Sequence, residues 1–397
     1  MCVIIKNMKK PWSETNLRLT TTIIISAITM AFGLFIGLRW SDWSPYLGFA
    51  TSSSSLDFSS LNEVYNTLKL NYDGDIDESK LIDGAKAGLT ASLGDEYTTF
   101  MNAEESAEFQ KSLHGDVGAG IGVEFGLRDG YLRILRVLPD NPAERVGVLA
   151  GDIIYAVDDE EVYDKSSDYV AQKLRGESGS AVRLKVYRSG EYLDFTLTRE
   201  KINNVSAYYE IDGTTAIITL TRFDDDTGRL VEGFIKEFPD NIEKIILDLR
   251  GNGGGYVSAA RDLLSLWLDG DLIMTQKSRN SADINTYAYR GNAKLKDKKT
   301  VVLVDASTAS ASEIVAGALK DYKKATLVGE TTFGKGVVQT LLNLKNSAIL
   351  KVTTAHWYTP NGSSINQTGI TPDLEVSRSF DDINAMRDPQ MDAAKAL

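Results

Sequence analysis

The sequence predicts an α/β fold in which a helical segment and a β-rich module precede a larger α/β layer. Residues 57–113 repeat apolar side chains at helical spacing, and residues 114–202 contain short β-rich runs separated by turn signals. Residues 203–397 alternate buried strands with amphipathic helices, which is typical of a largely parallel sheet covered by helices. A chain of 397 residues is long enough for two or three such domains.

The first 40 residues are predicted to form a cytoplasmic tail and a membrane anchor. Residues 19–38 carry no charge, and their number is about what a helix needs to span a bilayer. Basic residues precede this run, so the positive-inside rule places the rest of the chain in the periplasm or the extracellular space. No small-x-small cleavage site follows, which favours an uncleaved, single-pass signal-anchor in the cell membrane. The Ser-rich residues 41–56 are predicted to be a linker.

Composition excludes several classes of function. The formal net charge is −12 and no long basic stretch is present, which argues against nucleic-acid binding. Cys2 is the only cysteine, and His114 and His356 are the only histidines. An intrachain disulfide, a cysteine metal cluster and a His-rich metal site are therefore excluded, and we expect no metal and no cofactor.

Local signals place the elements in order. Asn102 with Glu105 predicts a helix start, and Ser189-Gly190 predicts the turn of a hairpin. In the C-terminal layer we predict strands at residues 215–223, 243–250, 299–305, 324–328, 336–344 and 349–360. We predict helices between them at residues 227–238, 256–268 and 311–322.

The segment "LDLRGNGGG" at residues 247–255 runs from a buried strand into glycines and then a helix. Glycines allow the backbone to turn sharply, and N–H groups at a helix start favour negative charge. A tight turn, an anion cradle and an oxyanion hole remain alternatives for this segment.

The segment "VDASTASASEI" at residues 304–314 also leads from a strand into a helix, with Ser310 at the junction. A serine at a helix N-terminus suits a nucleophile, because the next amide faces the developing oxyanion. Ser310-x-x-Glu313 is equally a capping box, which is far commoner than a nucleophile.

The segment "GETTFGKG" at residues 329–336 nearly matches a phosphate-binding loop. Gly336 replaces the Ser or Thr that would hold magnesium, and a strand is predicted where a helix should follow, so nucleotide binding is disfavoured. Two interpretations of Lys335 remain, a solvated lysine and a general base for a serine nucleophile. A lysine base is considered because neither histidine lies in a recognisable catalytic-triad motif.

A lysine that acts as a base must be neutral, which needs a pKa about three units below its usual value of about 10.4. Burial lowers a lysine pKa, and we expect the flanking Phe333, Val337 and Val338 to supply it. Gln339 is predicted to share a strand face with Lys335 and to orient it.

These residues carry a family resemblance. "STASASEIVAGALKDYKKATLVGETTFGKGVVQT" and "DLRGNGGG" resemble the core of the C-terminal processing peptidases, exported or membrane-linked serine endopeptidases with a Ser/Lys dyad. The resemblance implies Ser310 as nucleophile, Lys335 as general base and Gln339 as the residue that positions the lysine. It also implies an oxyanion hole formed by the backbone of Ala311 with that of Gly254 or Gly255.

The resemblance extends from about Leu61 to the C-terminus and implies a ClpP/crotonase-like core with an inserted PDZ domain. "GAGIGVEF" and "LRGESGSAVRLKVYR" resemble the PDZ domain, which captures a peptide carboxylate on backbone N–H groups. The implied carboxylate loop comprises Gly120, Ile121, Gly122 and Val123, and Arg175 is a candidate for coupling this domain to the active site.

Three positions depart from the family pattern, the first being "GDEYTTF", which lacks the usual proline before its tyrosine. Gly253 stands where proline is usual, and Thr308 stands where glycine is frequent. None of the three changes removes a catalytic side chain.

The expected function is a membrane-anchored, extracytoplasmic serine endopeptidase that cleaves through an acyl-enzyme. Its expected partners are protein or peptide substrates with accessible C-termini and the lipid bilayer through residues 19–38, with a homo-oligomer or an adaptor protein as further candidates. The alternative is a PDZ scaffold on an inactive protease-like core.

Overall fold

The computed structural model describes residues 29–30, 57–113, 115–128, 130–279, 281–385 and 387–397. The chain divides into two units, Met1–Asp77 and Glu78–Leu397. None of the helices within the described ranges has the length and hydrophobicity of a bilayer-spanning segment. Apart from residues 29–30, the predicted anchor at residues 19–38 lies outside the described residues, as do the linker and His114.

Helices dominate residues 57–113. The first unit contributes α1, Ser59–Asn71, and the second begins with α2, Glu78–Ala91, followed by β1, Thr99–Met101, and α3, Ala103–Leu113. The predicted cap of α3 is confirmed, because Asn102 Oδ1 accepts the N–H of Glu105 and Glu105 Oε2 accepts the N–H of Asn102.

The β-rich module is built on an antiparallel sheet. Its elements are β2 (Ala119–Gly120), β3 (Val123–Arg128), β4 (Tyr131–Val137), α4 (Pro142–Arg145), β5 (Ile153–Val157), β6 (Glu160–Glu161), α5 (Ser167–Leu174), β7 (Ala181–Arg188), β8 (Glu191–Thr198) and β9 (Glu200–Lys201). The strand order is β3-β4-β5-β7-β8, around an apolar core. The predicted hairpin is confirmed between β7 and β8, where Ser189 and Gly190 both have positive φ.

The remaining residues form two further sheets and the helices that cover them. Their elements are β10 (Ala207–Asp212), β11 (Thr215–Leu220), α6 (Thr227–Glu237), β12 (Lys244–Asp248), α7 (Val257–Leu264), β13 (Leu272–Lys277), β14 (Ile284–Tyr287), β15 (Lys299–Val304), α8 (Ala311–Asp321), β16 (Thr326–Gly329), β17 (Val337–Asn343), β18 (Ile349–Tyr358), β19 (Leu374–Glu375), α9 (Phe380–Asn384) and α10 (Pro389–Ala396).

The core sheet confirms the prediction of a largely parallel layer. Its order is β10-β11-β12-β15-β16-β19, and every pair is parallel except β10 with β11 at one edge. Leu247 of β12 and Val302 of β15 pack on the side of α7 and α8, whereas Ile246 packs on the opposite side with Ala394 of α10. Because the strands are parallel, the loops that follow β12 and β15 meet at one edge of the sheet.

A second, antiparallel sheet was not predicted as such, although its two long strands were. In this sheet β18 pairs with β17, β13 and β1, so that the short strand after Tyr97 lies beside residue Lys351. A β-bulge interrupts the pairing of β17 between Val338 and Gln339. The extra residue of the bulge lies on β18, where Thr354 falls between the partners of Val338 and Gln339. Lys335 precedes β17, so the shared strand face of Lys335 and Gln339 stays a prediction.

Candidate active site

Ser310 lies at a sharp turn between β15 and α8. Its backbone has φ 56° and ψ −117°, which is a strained conformation for a residue with a side chain. Two hydrogen bonds hold the turn. The Ser310 N–H donates to the Glu313 carboxylate at 2.8 Å, and the Ser310 carbonyl accepts the N–H of Ile314. A half-buried serine on such a turn is presented to the neighbouring cleft, as a nucleophile requires.

Glu313 joins the serine turn to the lysine loop. Its carboxylate is fully buried, and its Oε2 atom accepts the backbone N–H groups of both Ser310 and Lys335 at 2.8 and 2.9 Å. Its Oε1 atom accepts the Thr332 hydroxyl and the Gly334 N–H at 2.6 and 2.7 Å. The capping box predicted from sequence therefore does more than begin a helix, because the same carboxylate fixes the loop that carries Lys335.

Lys335 follows β16 in a loop that is fixed on both sides. Its carbonyl accepts the indole N–H of Trp357 at 2.9 Å, and its ammonium lies 5.2 Å from the centre of the Tyr97 ring. Burial lowers the pKa of Lys335 below the usual lysine value, and the charge of Lys351 lowers it further, whereas Glu313 opposes them. Lys335 and Ser310 line the same cleft, but the described residues include no hydrogen bond between the Lys335 ammonium and the Ser310 hydroxyl.

The expected source of this burial was partly wrong. Val337 is buried and Val338 is partly buried beside Lys335, but the side chain of Phe333 is 53% exposed. Tyr97, and not Phe333, is the aromatic residue next to the Lys335 ammonium. Nothing in the local sequence indicated Tyr97, because it reaches the site through the pairing of β1 with β18.

Gln339 also contacts Tyr97. Its side-chain amide donates to the Tyr97 carbonyl, and the carboxamide lines the same cleft as Lys335. Tyr97 thus receives Lys335 on its ring and Gln339 on its carbonyl oxygen. The role of Gln339 in positioning the lysine stays a prediction.

Gly254 packs directly against the serine. It has φ +100°, and a Cβ added there would lie 2.7 Å from the Ala309 carbonyl oxygen and 2.8 Å from the Ser310 Cβ. Its N–H donates to the Asn252 side chain at 2.9 Å. Within the described part of the chain, the N–H groups of Gly255 and Ala311 have no such acceptor.

Asn252 links the glycine loop to the serine turn, and sequence reasoning missed it. Its backbone carbonyl accepts the Ala309 N–H and the Ser312 hydroxyl, both at 3.0 Å, while its side chain also donates to the Leu220 carbonyl. Thr308 adds a second link, since its hydroxyl donates to the Leu249 carbonyl at 2.9 Å. These bonds hold the loops after β12 and β15 in one rigid assembly.

The candidate residues converge on one cleft of about 440 Å³. Ser310, Lys335, Gln339, Gly254 and Gly255 line it, together with apolar side chains. The apolar lining comprises Phe109, Leu113, Phe223, Tyr256, Val257, Ile314, Val337, Val338, Leu341 and Trp357. A serine, a lysine and backbone N–H groups in an apolar cleft can perform acyl transfer.

A second groove, of about 360 Å³, lies between β3 and α5 of the β-rich module. Gly120, Ile121, Gly122 and Val123 line it, and Arg175 lies at the same groove. Gly122 has φ +81°, and a Cβ there would lie 2.2 Å from the Asn141 Cβ, so only glycine fits.

Arg136 connects this module to the glycine loop. Its guanidinium donates to the Arg250 carbonyl at 2.6 Å and lies 3.3 Å from the Glu124 carboxylate. Arg250 is itself held by Asp248 and by Asp388 at the start of α10. The predicted coupling residue, Arg175, lies exposed at the groove instead, and its coupling role stays a prediction.

The loop at residues 329–336 joins two strands, β16 and β17. A phosphate-binding loop must lead into a helix, whose N-terminus holds the phosphate. The prediction that a strand follows Lys335 is confirmed, and it removes the basis for a nucleotide site.

Three family profiles match separate parts of the chain. Peptidase family S41 matches residues 214–376, the PDZ domain matches residues 133–188, and the profile named Activating protease CtpB N-terminal domain matches residues 44–105.

Full-length comparisons agree with these matches. A Staphylococcus aureus (strain N315) protein named "Probable CtpA-like serine protease" is 33% identical over 373 residues, covering 92% of this chain and 73% of that protein. A protein of the same name from Staphylococcus haemolyticus (strain JCSC1435) is 32% identical over 371 residues, covering 93% and 73%. The solved photosystem II D1 C-terminal processing protease superposes with a TM-score of 0.56 at 26% identity, covering 87% of this chain and 92% of that one.

Proposed function

This chain belongs to peptidase family S41 and is a serine-type peptidase, and we propose that Ser310 is its nucleophile and Lys335 its general base. The observation that carries the proposal is the shared anchor of the two residues. One buried carboxylate oxygen of Glu313 accepts the backbone N–H groups of both, and their side chains line one cleft. Such rigid placement is what nucleophile and base need to react efficiently.

In the proposed reaction, Ser310 Oγ attacks the substrate carbonyl carbon and its proton passes to Lys335 Nζ. The tetrahedral intermediate collapses when Lys335 protonates the leaving amine, and water then hydrolyses the acyl-enzyme. The Ala311 and Gly255 N–H groups are the proposed oxyanion donors, because the Gly254 N–H already donates to Asn252.

Lys335 acts as a base only when it is neutral, and its lowered pKa supports that role. In the free protein its ammonium lies over the Tyr97 ring. Catalytic hydrogen bonds are often long or absent before substrate binds. The proposal therefore includes a movement of Lys335 Nζ from Tyr97 to Ser310 during turnover.

A serine-reactive fluorophosphonate probe tests the nucleophile and separates a peptidase from an inactive scaffold. Peptide mapping should find the label on Ser310, and Ser310→Ala should abolish it. A wild-type chain that cleaves no unstructured protein and does not label at Ser310 would support the scaffold.

The groove between β3 and α5 is proposed to bind the substrate C-terminus as an added strand. It is supported by the lining of Gly120, Ile121, Gly122 and Val123, whose backbone can receive a carboxylate, and by Arg175 at the same groove. The test is calorimetric binding of a peptide as free acid and as amide to the Ser310→Ala protein. Equal affinities for both forms would contradict carboxylate capture.

Residues 19–38 are proposed to anchor the protein in the cell membrane, with the peptidase outside the cytoplasm. The absence of charge over this run and the basic residues before it support the proposal. Carbonate-washed membranes should retain the full chain, and protease added to spheroplasts should digest it. Release of the chain by carbonate would contradict the anchor.

A further inference from the structure

The active-site cleft is lined by cationic side chains without acidic ones. Arg222, Lys335 and Lys351 line it, and its described lining contains no aspartate or glutamate. Arg222 is already paired, because its guanidinium lies 2.9 Å from the Asp224 carboxylate. Lys335 must be neutral to act as the base. Within the described lining, this leaves Lys351 as the cation that faces the cleft without a carboxylate partner.

Lys351 lies on β18, where its neighbours are Thr99 on β1 and Leu341 on β17. Its ammonium is 5.5 Å from the centre of the Phe109 ring. Phe109 and Leu341 line the cleft as well, so the Lys351 ammonium lies next to apolar side chains. An ammonium in such a place attracts an anion more strongly than one in bulk water, because the surroundings screen it less.

On the basis of the proposed serine-peptidase function, we propose that Lys351 binds a carboxylate of the substrate close to the scissile bond. Lys351 is near enough to Lys335 for the two charges to interact, so a carboxylate bound there would lie near the reacting centre. The carboxylate can belong to an Asp or Glu side chain, or to the C-terminus of a substrate that does not occupy the groove between β3 and α5. The shared chemistry is a carboxylate in an apolar cleft, and the experiment separates the two sources.

Lys351 also has a second effect, which the test must keep apart from binding. The groups that act on Lys335 are the Tyr97 ring, the Glu313 carboxylate and Lys351. Lys351 therefore influences how readily the base loses its proton. The preference is therefore taken as the ratio of two substrates within each variant at one pH, so that the protonation of Lys335 cancels.

The experiment begins with the full-length chain and an unstructured casein, whose cleavage positions mass spectrometry maps. A well-cleaved segment is then synthesised with Glu or Gln at each position flanking the bond, each as free acid and as amide. Wild type, Lys351→Gln and Lys351→Glu are compared. The matched control is Lys277→Gln, a lysine of the same sheet that lies 4.6 Å from the centre of the Tyr358 ring and outside the cleft lining.

We expect wild type to favour Glu over Gln at one position by roughly three- to tenfold in kcat/KM, or the acid over the amide by a similar factor. Lys351→Gln should bring that ratio close to one, Lys351→Glu should invert it, and Lys277→Gln should keep it. A ratio that Lys351→Glu leaves unchanged would overturn the proposal, and so would equal cleavage of all peptides by wild type. Failure of wild type to cleave casein at all would instead refute the peptidase function itself.

Discussion

The Oε2 atom of Glu313 accepts the backbone N–H of Lys335 at 2.9 Å, and the same atom accepts the N–H of Ser310 at 2.8 Å. The two loops that carry the candidate nucleophile and base are therefore tied to one buried charge. A carboxylate that accepts several N–H groups is well stabilised in the interior, since its charge is fully hydrogen-bonded. The spacing of the proposed dyad depends on this side chain, although it contacts neither proposed reacting atom.

Glu313→Gln should lower both stability and activity. The side-chain amide of glutamine places an NH2 group where a carboxylate oxygen accepted hydrogen bonds. At least one buried N–H or O–H donor therefore loses its acceptor. We expect a loss of about 1–3 kcal/mol in the free energy of unfolding. We expect a fall of roughly 10- to 100-fold in kcat/KM, because the base loop shifts relative to Ser310. Denaturant unfolding and casein cleavage measure the two effects.

Glu375→Gln is the matched control, because Glu375 is exposed on β19. It should change neither quantity by a measurable amount. Normal turnover by folded Glu313→Gln protein would contradict the shared-anchor account.

Gly254→Ala should disable the glycine loop. An alanine Cβ would lie 2.7 Å from the Ala309 carbonyl oxygen, and the φ of +100° is unfavourable for any side chain. We expect kcat to fall by roughly 10²- to 10³-fold, because the displaced loop no longer supports the oxyanion donors. Steady-state kinetics on a fluorogenic peptide measure the change.

Gly253→Ala is the neighbouring control, since a Cβ there meets no atom within 4 Å. Its kcat should stay within a few-fold of wild type. Equal losses of kcat in the two variants would contradict the steric explanation, because only the Gly254 substitution creates a clash.

Activity should rise with pH as Lys335 loses its proton. Burial and the Lys351 charge both lower the pKa of Lys335. Lys351→Met removes the repulsive charge, so the pKa of Lys335 should rise towards its usual value. The ascending limb of kcat/KM against pH should then move to higher pH, measured with a peptide that carries no acidic residue and an amidated C-terminus. A limb that stays in place, or moves to lower pH, would contradict the assignment of Lys335 as the titrating base.

The sequence predicted those structural elements whose formation depends on residues close together in the chain. The Asn102 cap, the Ser189-Gly190 turn and the individual strands of the core sheet all follow from residues close together in the chain. The strand after Lys335 was also predictable, because its β-branched residues lack a helix start.

The surroundings of Lys335 depended on long-range pairing instead. Tyr97 reaches Lys335 only because β1 pairs with β18, about 250 residues later in the sequence. Phe333 was expected to bury the lysine since it is adjacent, yet its side chain is 53% exposed. The hydrogen bond from Gln339 to the Tyr97 carbonyl has the same origin, because strand register is set between strands.

The central claim is that Ser310 and Lys335 act as one catalytic unit. The most direct measurement is cleavage of an unstructured casein by full-length wild type, Ser310→Ala and Lys335→Ala, with each variant shown to be folded by circular dichroism. Each substitution alone should reduce the rate by at least about 10³-fold, because removing either member of a unit disables it. Residual turnover near the wild-type rate in either folded variant would contradict the dyad.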